Sequence, residues 1–399
     1  MRKVMKFGGS SVADVACMRS IAGRIIRGRQ SGDETVVVVS AMGKTTNQLV
    51  AMAKEVNRDP VKRELDMMLS TGEQISIAML AMVLSDMGAD AISLTGYQAG
   101  IRTTGLHTKS RIQDIDTRKI EEHLAQDRIV VVAGFQGYNE EGEITTLGRG
   151  GSDTSAVALA AKLGCRCEIY TDVNGVYSLD PRRYPKARHL KQITYEEMKE
   201  MADLGAKVLE PRAVDIAQQF GVPLYVASSR NELPGTTISK GDGTLENRSI
   251  TGMSIADSII MVTLRLPEGE QIITQLFTRL ATEEINIDII SQVPMPDGMV
   301  GVSFTAPLDE QPAVEKILAD LVSPLAGASV ELKDDVCRIS VIGSGMRHQT
   351  GVAARIFRIF ADSGISFHLV STSEISISYT LDLRFKDEAV RLIAEAFEL

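Results

Sequence analysis

Short runs of apolar residues return at intervals through the first half of the chain, at 4–7, 36–40, 129–133, 168–171 and 224–227. The run Val36-Val37-Val38-Val39 has no polar alternation, which predicts a strand covered on both faces. Between the runs, over 13–29, 71–84 and 154–163, apolar residues recur at helical spacing instead. Strands alternating with helices predict an α/β domain on a mainly parallel sheet, with helices on both faces. In such folds the loops leaving the strands gather at the carboxyl edge of the sheet, where ligands bind.

The pattern changes after residue 229. Residues 230–250 are rich in Gly, Ser, Thr and charge, and predict a linker whose end can feed a strand into the next unit. Beyond it a strand–helix–strand pattern occurs twice, at 259–264, 272–282 and 285–292, then at 337–342, 352–363 and 365–374. Each copy continues into a further strand and a closing helix, a ferredoxin-like βαββαβ order. The expected division is 1–229, a linker at 230–250, and two small modules at 251–330 and 331–399.

Composition excludes several classes. With 44% apolar and 24% charged residues the chain is an ordinary folded protein. A net charge of −9 lacks the basic footprint that nucleic-acid binding needs. The four cysteines (17, 165, 167, 337) form no CxxC pair and the five histidines (107, 123, 189, 348, 368) no ligand spacing. Neither a disulfide framework nor a metal site is expected. No apolar run approaches membrane-spanning length and the start lacks a signal-peptide core, so a cytoplasmic protein without membrane contact is expected.

Three segments carry chemistry. Gly148-Arg149-Gly150-Gly151-Ser152-Asp153-Thr154-Ser155 combines backbone freedom with charge and hydroxyls, and an apolar run comes directly after it. The loop therefore opens a helix, whose N-terminus favours anions. Lys6-Phe7-Gly8-Gly9-Ser10-Ser11 closes the first strand, and Thr171-Asp172-Val173-Asn174-Gly175-Val176-Tyr177 with Asp180-Pro181-Arg182 closes a later one. Gly43-Lys44-Thr45 imitates the tail of a P-loop, but Val38 stands where that motif needs its first glycine.

Taken in order, these segments resemble those of the aspartate kinases of the amino-acid kinase family, over essentially the whole chain. The resemblance implies a three-layer, carbamate-kinase-like catalytic domain followed by two ACT domains, small modules that bind amino acids at paired interfaces. The implied activity transfers the γ-phosphoryl of ATP to the side-chain carboxylate of L-aspartate, giving 4-phospho-L-aspartate, the first step toward lysine, diaminopimelate, threonine, methionine and isoleucine. Lys6 and Asp153 would be catalytic, with Asp153 orienting Lys6 or capping the helix that it opens. Thr46, Glu73, Arg149, Gly150, Gly151 and Ser152 would hold aspartate, Arg149 gripping a carboxylate and Glu73 pairing with the ammonium. A first-turn helical carboxylate is the plainer reading of Glu73. Lys6, Phe7, Gly8, Gly9, Thr171, Asp172, Tyr177, Arg182 and Lys207 would hold ATP, although Asp180-Pro181 is also simply a good turn. Mg²⁺ would arrive with ATP, with no prosthetic group.

The same resemblance marks Glu268, Asn286, Ile287, Asp288, Gln292, Val352, Ala353, Ser366 and Phe367 as effector positions, for lysine or threonine. Ser366-Phe367 departs from the family's usual pair, and altered threonine sensing is expected. A homodimer or larger assembly through the ACT modules is implied, with a separate regulatory subunit as a further partner. The competing functions are a glutamate or N-acetylglutamate kinase, and a sensor without catalysis.

Overall fold

The computed structural model describes residues 1–241, 249–267, 270–296 and 298–399, which fall into two units. The first begins β1 (Arg2–Phe7), α1 (Val15–Gln30), β2 (Glu34–Val39), α2 (Thr45–Val56), α3 (Lys62–Asp86), β3 (Ala91–Leu94), β4 (Ile101–Thr104) and β5 (Arg111–Ile115). It continues α4 (Arg118–Ala125), β6 (Ile129–Ala133), β7 (Gln136–Tyr138), β8 (Ile144–Thr146), α5 (Gly151–Lys162) and β9 (Arg166–Thr171). It closes with β10 (Gln192–Thr194), α6 (Tyr195–Asp203), α7 (Pro211–Phe220), β11 (Leu224–Ser228) and β12 (Thr236–Ser239).

Eight strands form one sheet in the order β10-β12-β11-β9-β1-β2-β6-β3, parallel at every pairing except β11 with β12. Alternation along β1 decides what each residue can do. Met5 and Phe7 join the core beneath α1 and α3, packed with Met18, Ile21, Ile77 and Leu80. Lys6, between them, faces the other side of the sheet, which α5 covers. A second, four-stranded sheet, β5-β4-β7-β8, was not legible in the sequence because its strands are only three to five residues long.

Three expectations change. The helix expected at 71–84 starts nine residues earlier, at Lys62, because the helix-forming stretch 62–70 continues the same pattern. Glu73 is therefore three turns inside α3, and its reading as a first-turn carboxylate is withdrawn. At 25 residues α3 is also long and apolar enough, by composition, to cross a membrane, which the reading of short apolar runs missed. Half of that stretch is buried in the unit, against β3, β6, β8 and α1, as a core helix would be. The expected linker at 230–250 contains β12, in which Thr236 and Ile238 alternate inward against β11; its residues 242–248 lie outside the described residues.

From residue 249 the chain forms the second unit, which Ser178–Arg188 and Leu204–Ala206 also join. Its elements are β13 (Gly252–Pro267), α8 (Glu270–Thr282), β14 (Ile290–Pro294), β15 (Met299–Pro307) and α9 (Gln311–Leu321). Then come β16 (Ser329–Ile342), α10 (Val352–Asp362), β17 (Phe367–Thr372), β18 (Ser376–Asp382) and α11 (Lys386–Phe397). All six strands are antiparallel, in the order β14-β15-β13-β16-β18-β17.

Two cores divide this sheet. One gathers Ile260, Val262, Leu264, Leu276, Phe304 and Ile317; the other gathers Met253, Ile339, Val341, Ile356, Phe360 and Tyr379. They do not part at residue 330. Strands β13 and β16 run through both, with a register shift between Ala256 and Ile259. The first half of β13, residues 252–256, supplies the last strand of the second core by pairing with Arg338–Ile342. The two expected modules are thus interlocked rather than consecutive.

Candidate active site

The strand end at Lys6 and the helix start at Gly151 meet through an ion pair. Lys6 Nζ lies 2.6 Å from Asp153 Oδ1, and each side chain is only 11% exposed. Asp153 is in the first turn of α5, its own N–H donating to Gly150 O at 2.9 Å. It does not cap the helix: Gly150 occupies that position, with φ +65. A Cβ at Gly150 would lie 2.2 Å from Glu210 Oε2, so this turn needs both glycine's torsion and its bareness. Gly151, Ser152 and Asp153 are buried, whereas Arg149 stands exposed at the loop's tip.

Behind Lys6, Gly9 approaches the loop between β2 and α2. A Cβ on Gly9 would come within 2.7 Å of Ala41 O, and Gly43 N donates to Gly9 O at 3.0 Å. Phe7 belongs to the core, its ring stacked on Tyr170 at 5.0 Å, so only its backbone is placed for a ligand.

Glu73 reaches the same loop from α3. Its Oε1 accepts the Ala41 N–H at 3.0 Å, its Oε2 is buried without a partner, and the residue is 3% exposed. Burial pushes its carboxyl up to about 7, against the pull of the Ala41 amide. An unpartnered buried carboxylate oxygen is a demand for a donor.

A cleft of about 1440 Å³ is lined among others by Thr46, Thr146, Leu147, Arg149, Glu210 and Arg212; Lys6, Gly9, Glu73 and Asp153 are not in its lining. Thr46 and Arg149 thus line one cleft. Arg212, which no sequence signal marked, donates to Leu147 O at 2.7 Å and Ser110 O at 3.2 Å, bracing the backbone just before Gly148. Its partners are carbonyls, which every residue carries, so no motif could disclose it. Burial raises the Glu210 carboxyl, with the Asp153 charge adding to the effect.

The nucleotide positions are less gathered. The Thr171 hydroxyl donates to the exposed Asp172 at 3.1 Å, at the carboxyl end of β9 next to β1. Tyr177 packs edge-on against His189 at 5.2 Å, and Lys207 is exposed. Arg182 belongs to the second unit, where its Nε and Nη2 reach the Asp180 carboxylate at 3.0 and 2.9 Å.

Among the effector positions Glu268 lies outside the described residues. Asn286 and Gln292 are exposed, and Ile287 is half-buried. Asp288 already has a partner: its Oδ2 lies 2.7 Å from Arg338 Nη1, a guanidinium only 3% exposed. Val352 and Ala353 open α10 against the second core, Ser366 is exposed, and the Phe367 ring packs near Phe357, Phe360 and Tyr379.

A parallel sheet whose glycine-rich loops close around a buried Lys–Asp pair defines a member of the amino acid kinase family, and the model of that family matches residues 1–228, with an ACT domain matched at 339–397. Within that family the chain belongs with the aspartokinases. It is 46% identical over 398 residues to an aspartokinase of Geobacillus stearothermophilus, covering 99% of this chain and 97% of that one. Aspartokinase 2 of Bacillus subtilis (strain 168) is 45% identical over the same length and shares. Among solved structures, aspartate kinase from Synechocystis is 38% identical with a TM-score of 0.57, covering all of this chain and 69% of that one. E. coli aspartokinase III, in complex with aspartate and ADP, shares the fold at a TM-score of 0.79 and 22% identity, over the whole of both chains.

Proposed function

We propose that the chain phosphorylates the side-chain carboxylate of L-aspartate from MgATP, giving 4-phospho-L-aspartate and ADP. The observation that carries this reading is the buried Lys6–Asp153 pair joining the first strand's glycine loop to the N-terminus of α5. A carboxylate oxygen attacks the γ-phosphorus, the bond from that phosphorus to the bridging oxygen breaks, and the electron pair leaves on ADP. No proton moves, because the nucleophile is already an anion. The difficulty is bringing one anion onto another, so the protein's work is neutralisation and alignment. Lys6 offers a buried cation to the transferring phosphoryl, and Asp153 holds it in place. The Gly8 amide donates to Tyr170 O at 3.3 Å, so the Gly9 amide is the one that would meet a phosphate oxygen.

Arg149 presents a planar fork to a substrate carboxylate from the cleft wall, with Thr46, Gly150, Gly151 and Ser152 around it. Glu73, with a buried oxygen in want of a donor, suits the substrate ammonium. Thr171, Asp172, Tyr177 and Lys207 would border the nucleotide.

Residues 1–229 would be the catalytic domain and the interlocked sheet of 251–399 an amino-acid sensor, with lysine or threonine as effector. Its edge strand β14 carries the exposed apolar residues Ile290 and Val293, suited to pairing with a second copy. Four free cysteines suit a reducing cytoplasm. The test is ADP release with aspartate, glutamate or N-acetylglutamate as acceptor, then with lysine and threonine added. Aspartate alone should support turnover; equal rates with glutamate would defeat the substrate assignment.

A further inference from the structure

We propose that Asp66 is a positioning residue for substrate binding: it anchors the Arg149 loop through Thr146, as Glu73 on the same helix anchors the Thr46 loop. The inference rests on aspartate being the substrate. Asp66 and Glu73 are seven residues apart on α3, two turns along one face and about 10 Å along the axis. Each is buried, and each spends an oxygen on one wall of the candidate site. Glu73 takes the Ala41 amide on the loop leading to Thr46. Asp66 takes the Thr146 hydroxyl at 2.5 Å, three residues before Arg149.

The rest of the Asp66 carboxylate is fully engaged, as a residue with 0% exposure requires. The Thr108 amide donates to both oxygens, at 3.1 and 3.0 Å, and His107 Nδ1 lies 2.7 Å from Oδ2. His107 Nε2 is in turn 3.3 Å from Glu143 Oε2. These contacts hold Thr108 in a left-handed conformation, φ +69, that a non-glycine residue adopts only under constraint. The constrained turn between β4 and β5 is tied to the loop itself, since Ser110 N donates to Thr146 O at 3.0 Å. Arg212, on α7, donates to Leu147 O at 2.7 Å. Arg149 is exposed to the open cleft, so its aim depends on where the backbone at 146–148 is held. Asp66 and Arg212 hold it from two helices.

The test compares Thr146→Val, which keeps the side chain's volume without its hydroxyl, with Thr146→Ser, which keeps the hydroxyl, in the full-length chain. Losing a hydrogen bond to a buried carboxylate should raise the aspartate KM about tenfold, leave the ATP KM within about twofold, and be rescued by Ser. Asp66→Asn should show the same selective rise. A purely structural role would instead move both KM values together or lower the melting temperature with KM unchanged, and either result overturns the proposal, as does failure of Ser to rescue. An active wild type with an unshifted Thr146→Val defeats this inference alone. A wild type that does not phosphorylate aspartate defeats the substrate assignment and this inference with it.

Discussion

Lys6 Nζ and Asp153 Oδ1 stand 2.6 Å apart in a place that water barely reaches. The pair therefore has two consequences that a single substitution would mix. Lys6→Met removes the cation offered to the transferring phosphoryl, which should cut turnover by a factor of about 10² to 10³. It also strands the Asp153 carboxylate, at a cost of about 3 kcal/mol in stability. Adding Asp153→Asn to Lys6→Met should restore the melting temperature but not turnover. Steady-state rates and thermal denaturation of both variants check the two parts separately.

Arg149→Lys keeps the charge and loses the planar fork. Aspartate binding should weaken by about 2 kcal/mol, with ATP affinity little changed. An ATP KM that rose while the aspartate KM stayed flat would move Arg149 to the nucleotide side.

Glu73 makes stability depend on pH in an uncommon direction. In the unfolded chain its carboxyl titrates near 4.5, and in the folded protein near 7. Between these values the folded state keeps a proton that the unfolded state has lost, so stability falls as pH rises through that window. The total is about 3 kcal/mol. Glu73→Gln should match wild type near the acid end and exceed it in stability above about pH 7. Conversely, a substrate ammonium needs the ionised form, so the wild-type aspartate KM should fall as pH rises from about 6 to about 8, and the Gln variant should lose that slope. Denaturant titrations and pH–KM profiles would check both signs.

The sequence disclosed the architecture where pattern was strong. Unbroken β-branched runs marked β2 and β6, and strand–helix alternation marked the parallel sheet. Lys6 and Asp153 were found through their glycine-rich loops. What escaped notice had partners without side-chain identity or strands without length. Arg212 binds carbonyls, Asp66 binds an amide from a turn and a hydroxyl from a strand, and β12 lay hidden in a polar stretch that read as a linker. The ion pair of Asp288 was hidden for a related reason: its partner, Arg338, lies fifty residues on and is met only through the fold of the sheet.

Regulation should separate two neighbours on the first sensor core. Gln292→Ala, at an exposed edge position, should relieve inhibition by the natural effector and leave uninhibited turnover unchanged. Asp288→Ala should behave differently, because it leaves the Arg338 guanidinium buried without its carboxylate, at a cost of about 3 kcal/mol. A lowered melting temperature for Asp288→Ala beside an unchanged one for Gln292→Ala is the expected contrast. Equal melting temperatures would return Asp288 to the effector site.

Because residues 252–256 pair with Arg338–Ile342 in the second sensor core, that core depends on a contact that closes a loop of some eighty residues. Pairing across such a separation is slow, since the chain must surrender the loop's entropy before any contact rewards it. The strand synthesised first is the one needed last. The first sensor core lies within that loop, so folding it shortens the search and brings both ends of the second together. A sensor fragment begun after residue 257 would leave Arg338–Ile342 without one of its two neighbours.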